Sequence, residues 1–186
     1  MKMRRGFKTE AEQHAVELRQ ELCLAEAASL CPWRLAEHLE VPIHTLATIA
    51  SVEPVAAEYL LGLGRQYFSA VTLFVGNHGL SRTICHNESH ALNRQRSNLM
   101  HELAHAILLH PPTEMFSCDP KSEAEAVWLG AALLFPRVAA IKIATNGDPI
   151  DVAAKTYGVS EDLMKYRLGV TGATTITKRR RAKMRP

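Results

Sequence analysis

SNLMHELAHAILLH, residues 97–110, decides how the rest of the chain is read. It carries H-E-x-x-H between apolar flanks. Residues four apart share one face of an α-helix, so His101 and His105 aim two imidazoles at a common point. Neutral imidazole is a zinc ligand, at about 2.0–2.1 Å in a four-coordinate site. Glu102 lies about 100° further round the helix. That is too displaced for a comfortable third ligand. It suits a base that takes a proton from a zinc-bound water, whose pKa the metal lowers to about 7. The competing reading is a helix that happens to carry two histidines.

A zinc site needs a third protein ligand, and the next helical stretch offers two carboxylates. Glu123 lies 18 residues beyond His105, and Glu125 is two further on. About 200° separates them on a helix, so only one can face the metal, and spacing leaves both open. Ala126, Leu129, Ala132 and Leu133, with Ala140 or its neighbours, form an apolar face that would pack this helix on the first. The stretch PPTEMFSCDPK between them is long enough to bring two helices side by side.

The 186 residues suit one domain of ordinary size, able to bury a core without disulfide staples. Apolar residues make up 47%, which excludes a disordered chain. No run of about 18 apolar residues is present, so no membrane span is expected. The first residues, MKMRRGFKTEAEQH, lack the apolar stretch of a signal peptide. The four cysteines, Cys23, Cys31, Cys85 and Cys118, have no metal-like spacing and read as thiols of a cytoplasmic protein. The net charge of +3 hides an asymmetry. Ten basic residues lie at the two ends. Without them, 12 basic face 19 acidic residues, and the body carries −7. A basic tail on an acidic body suits an acidic partner such as nucleic acid, or simply a solvated end.

Working outward, residues 9–30 are rich in Ala, Glu and Leu and read as an amphipathic helix. A second helix starts at Pro32 and stops near Pro42. A third ends around Gly62 to Gly64. YFSAVTLFVG and LSRTICHN, separated by GNHG, read as a β-hairpin. The H-E-x-x-H helix then runs from about Ser97 to His110, where Pro111 and Pro112 end it, and its partner runs from about Lys121 to near Pro136. The fold class expected is α+β: a small mixed sheet packed on the H-E-x-x-H helix bundle, with a C-terminal helical unit. The expected division is a leader helix over 1–30, a zincin-like domain over 31–140, a helical unit over 141–176 and a basic tail over 177–186.

NRQRSNLMHELAHAILLHPP followed by EAEAVWLGAALLFP resembles the ImmA/IrrE metallopeptidases, and the preceding hairpin is similar to theirs. The resemblance covers about residues 30–172. It implies zinc held by His101, His105 and Glu123, with Glu102 as base. Glu123 matches the ligand position of the family's E-x-(E/Q)-A pattern, and Glu125 is the fallback. Val127 departs from the pattern, where many relatives carry Asn or Asp. The resemblance further implies cleavage of a protein partner, an XRE-type helix-turn-helix repressor, which derepresses genes of stress response, mobile elements or toxin–antitoxin systems. An exposed hairpin edge, expected between Thr72 and Ile84, would hold an extended peptide as an added strand. His110, Tyr157, Tyr166 and Arg167 are candidate helpers for the oxyanion. His78, His86 and His90 are candidate cleft residues, and Cys118 a bystander.

The alternative comes from another class: a DNA-binding or protein-binding regulator in which the metal site is structural or sensory. IDVAAKTYGVSEDLMKYRL has the shape of a helix-turn-helix, with Gly158 at the turn and Ser160 as cap. Glu161 and Asp162 weaken it, because they would meet phosphates at the start of the reading helix.

Overall fold

A computed structural model describes residues 3–75, 81–111 and 119–183. Four helices and a short strand lead into a hairpin: α1 (Phe7–Glu21), α2 (Pro32–His38), β1 (Ile43–Thr45), α3 (Leu46–Val52), α4 (Pro54–Leu61), β2 (Ala70–Val75) and β3 (Ser81–His86). Six helices follow: α5 (Leu92–Ile107), α6 (Pro120–Leu134), α7 (Arg137–Asn146), α8 (Ile150–Tyr157), α9 (Glu161–Val170) and α10 (Ala173–Lys183). The α+β architecture with a small mixed sheet is as expected.

The sheet has the order β1-β3-β2, with β1 parallel and β2 antiparallel to β3. Strand β3 is central, and its residues Thr83 to His86 are buried. Strand β2 is an edge, and among the described residues no further strand pairs with it. The sequence placed the edge anywhere between Thr72 and Ile84; the structure excludes Ile84, which lies between β1 and β2. Its N–H donates to Pro42 O at 2.8 Å, away from β2. Ile84 faces Thr72 in the register, while the Asn87 N–H donates to Ser69 O at 2.9 Å. In an antiparallel ladder, bonded and non-bonded pairs alternate. The N–H and C=O groups of Ala70, Thr72 and Phe74 therefore point to the free edge.

Helix α6 lies at the centre of the fold. From Ala124 to Leu134 every residue except Val127 is buried. A helix apolar on all sides must be enclosed on all sides. Helix α5 covers one flank, α1 another and α9 a third. Ala140, read from sequence as part of this face, belongs instead to α7. The tight approach of α5 and α6 depends on Gly130. A Cβ there would stand 3.1 Å from Met100 O and 3.3 Å from His101 N. Both are backbone atoms of α5 and cannot swing aside. Gly130→Ala is therefore expected to push α5 and α6 apart and to cost about 1–3 kcal/mol in urea unfolding.

Local chemistry sets the helix ends. Asp119 accepts the Ser122 N–H at 2.9 Å with Pro120 in the first turn of α6, and Ser160 accepts the Leu163 N–H at 3.1 Å to start α9. Side-chain oxygens at this position replace the missing partners of the first N–H groups. Helix α5 begins at Leu92, five residues before the expected Ser97. Its extra turn is tied down by long side chains. Gln95 donates to the carbonyls of Glu88 and His90, and Arg96 to those of Leu30, Tyr157 and Gly158. Residues 173–183 form a helix that meets α7 and α9, and Lys178, Arg179 and Arg180 of the basic tail stay exposed on it.

Two arginines lie in the core with no exposed surface. Arg19 donates to the carbonyls of Ala15, Ala28 and Leu133. Arg167 donates to Phe135 O and pairs with Glu12. Cys23, Cys31 and Cys85 are free thiols, and Cys118 lies outside the described residues. Among the described residues no single helix is long and apolar enough to cross a membrane.

Candidate metal centre

Helix α5 presents His101 and His105 on one face, and the first turn of α6 brings Glu123 against them. Their ligand atoms converge. Nε2 of His105 is 3.2 Å from Nε2 of His101. Oε2 of Glu123 is 3.4 Å from His101 Nε2, and its Oε1 is 3.2 Å from His105 Nε2. Two ligands of a tetrahedral ion with bonds of about 2.0–2.1 Å stand about 3.3–3.4 Å apart. Each imidazole nitrogen stands about that far from the other and from one Glu123 oxygen, and one ligand atom from each of the three residues lies within 4.8 Å of the others. Two imidazoles and a carboxylate can hold a metal ion here, and the donor set fits.

Electrostatics supports the same use. Burial lowers the pKa of His105 to about 4, with further lowering from His101. The imidazole is neutral at pH 7, the form that offers a lone pair to a metal.

Glu102 lies beside the triangle, not in it. Its Oε2 accepts the hydroxyl of Thr72 at 2.6 Å. Burial raises its pKa, and the bond from Thr72 and the nearby His101 oppose that shift. Thr72 comes from β2, so the edge strand and the buried carboxylate are directly joined. A groove of about 410 Å³ opens on the other side, beside His101, lined by Ser97, Val127, Gly130, Leu163 and Tyr166. Val127 stands half exposed on this wall.

The helix carrying the histidines is fixed at its far end by a residue the sequence reading missed. Arg82 on β3 donates to the carbonyls of His105, Ala106 and His110, at 3.0, 3.0 and 3.1 Å. A guanidinium at a helix C-terminus meets the last unpaired carbonyls and the negative end of the dipole. The neighbouring arginines in sequence gave no sign that this one would turn inward.

The other candidates separate by position. Glu125 is turned away from the triangle and buried, where it accepts the Arg4 N–H at 3.0 Å. Tyr157 donates its hydroxyl to Ala27 O at 2.7 Å and is structural, as is Arg167. Tyr166 stacks edge-on to Trp128 and borders the groove. His110 packs behind His105. His86 is buried edge-on to Trp33, and His90 lies against Asn87. His78 lies outside the described residues.

Comparison with curated proteins and with solved structures gave no match. The model of one family, Peptidase_M78 with its IrrE N-terminal-like domain, matches residues 64–169. That span runs from just before the hairpin to α9 and holds the edge strand, both histidines and both glutamates. It covers more than half of the chain, and the chain belongs to this peptidase family.

Proposed function

We propose that the protein is a zinc-dependent endopeptidase in which His101, His105 and Glu123 hold the metal and Glu102 is the general base. One observation carries the reading: two imidazoles and a carboxylate converge beside a buried carboxylate that is hydrogen-bonded to a free edge strand. Bound zinc would polarise the scissile carbonyl and make water nucleophilic at neutral pH. The chain's own groups do the rest. Glu102 takes a proton from the attacking water and delivers it to the leaving amine nitrogen. The Thr72 hydroxyl and main-chain N–H hold the carboxylate in place for that transfer. Ala70 and Phe74 offer main-chain donors and acceptors, and Thr72 its carbonyl, to an extended substrate segment, which pairs as an added strand.

The substrate class we propose is a protein regulator, an XRE-type helix-turn-helix repressor, cut at one site in the cytoplasm so that its target genes are derepressed. The family resemblance supports this. The DNA-reader alternative loses ground at α9, whose Leu163 and Tyr166 line the groove beside His101 and whose Met164, Arg167 and Leu168 are buried.

The test is zinc per chain by plasma mass spectrometry, on wild type and His105→Ala purified together. We expect near-stoichiometric zinc in the first and almost none in the second. Zinc absent from both after reloading would overturn the metal centre. A zinc-loaded protein that leaves every XRE-type repressor offered to it intact would overturn the substrate.

A further inference from the structure

His110 is held firmly behind the metal centre. Its main-chain N–H donates to His105 O at 3.1 Å, and Arg82 donates to its carbonyl at 3.1 Å. Its Nδ1 stands 2.9 Å from Nδ1 of His105, with the rings edge-on at 4.9 Å between centroids. On the far side, its Nε2 is 3.9 Å from Oε2 of Glu125. Glu125 is itself held by Arg4, whose N–H reaches Oε1 at 3.0 Å and whose Nε lies 3.5 Å from Oε2.

The protons along this line have one consistent order. His105 turns Nε2 toward His101 and Glu123, so Nε2 is its proton-free ligand atom. A neutral imidazole then carries its proton on Nδ1 and donates it to Nδ1 of His110. His110 in turn carries its own proton on Nε2, on the side of the Glu125 carboxylate. At 3.9 Å that carboxylate acts as a charge and not as a direct acceptor.

We infer that His110 and Glu125 are positioning residues for His105, anchored by Arg4, so that the grip on a metal reaches into the N-terminal segment outside the family-matched residues. The inference rests on the metal-centre reading above. An imidazole whose second nitrogen is engaged keeps the tautomer and ring angle that ligation needs, and a carboxylate behind it strengthens its basicity. Glu125 does this because it stands on the face of α6 turned away from Glu123. The residue that spacing left as a rival ligand serves the site from behind. A mere helix-end role for His110 would affect stability and leave the metal's surroundings unchanged.

The experiment uses the full chain and three readouts: zinc affinity against a chromophoric chelator, the visible spectrum with Co²⁺, and thermal unfolding without metal. His110→Leu should weaken zinc binding about 10–100-fold and shift the Co²⁺ bands, with metal-free unfolding near wild type. His110→Gln, whose amide oxygen can still accept from His105, should recover part of the loss. Glu125→Gln should weaken zinc several-fold. Combined with His110→Leu it should add nothing further, because the two links act in series. Wild-type zinc affinity and Co²⁺ spectrum in His110→Leu would overturn the inference, as would losses that multiply in the double variant. If His110→Leu does not fold, unchanged zinc affinity in Glu125→Gln overturns it instead. A wild type that binds no zinc would remove the metal centre itself, an outcome distinct from these.

Discussion

Glu102→Gln is expected to keep its zinc and lose turnover by about 10²–10⁴-fold, the usual size of a general-base contribution. The two properties separate because Glu102 stands outside the ligand triangle. An amide still accepts the Thr72 hydroxyl through its oxygen, so the edge strand and α5 stay joined. What the amide cannot do is take a proton. Zinc content and the rate of substrate cleavage, measured on one preparation, check the prediction. Loss of zinc in Glu102→Gln would place that carboxylate among the ligands. Full activity with zinc retained would assign the base elsewhere.

Arg19→Met should be the most destabilising of the core substitutions, by about 3 kcal/mol. Arg19 has no exposed surface, and its guanidinium serves the carbonyls of Ala15, Ala28 and Leu133. These belong to α1, to the chain that follows it and to the end of α6. Methionine fills a similar volume but leaves those carbonyls short of donors, at about 1–3 kcal/mol for each buried group left unpaired. Burial lowers the pKa of Arg19 to about 10, still well above neutrality, so the interaction carries its charge at pH 7. Urea unfolding reads the effect. Arg19→Lys should fall between, since an ammonium cannot span the same three acceptors in a plane. Equal stability of Arg19→Met and wild type would show that the three carbonyls find other partners.

The parts of the fold written in local sequence were legible. His101 and His105 four apart and apolar flanks gave α5, and the β-branched runs around GNHG gave β2 and β3. Helix α5 ends at Ile107 and not at the expected His110, because Leu109 turns to a positive φ before the prolines. Strand β1 was not legible. Its three residues follow Pro42 and carry no alternation, and they become a strand only by pairing with Ile84, Cys85 and His86 some forty positions away. The early start of α5 was hidden for a similar reason. LNRQR reads as polar surface until Gln95 is seen gripping carbonyls of the loop just before it and Arg96 those of distant loops. The metal cluster needed two helices in contact, so spacing could propose Glu123 or Glu125 but not choose. Arg4, Arg19 and Arg82 were counted as charge, and Arg167 was read as a candidate helper for the oxyanion. Each turns out to hold main-chain or carboxylate oxygens that no local pattern announces.

Helix α1 precedes the family-matched residues, yet it buries Phe7, Ala11, Ala15 and Leu18 against the rest. Its Glu12 accepts the Arg137 N–H and pairs with Arg167, across α7 and α9. The boundary of recognisable ancestry and the boundary of cooperative folding therefore differ in this chain. Cutting at residue 64 would strip one wall from α6, the helix that carries Glu123. What similarity marks as the peptidase domain is the interior of a larger folding unit, and the segment that precedes it closes it.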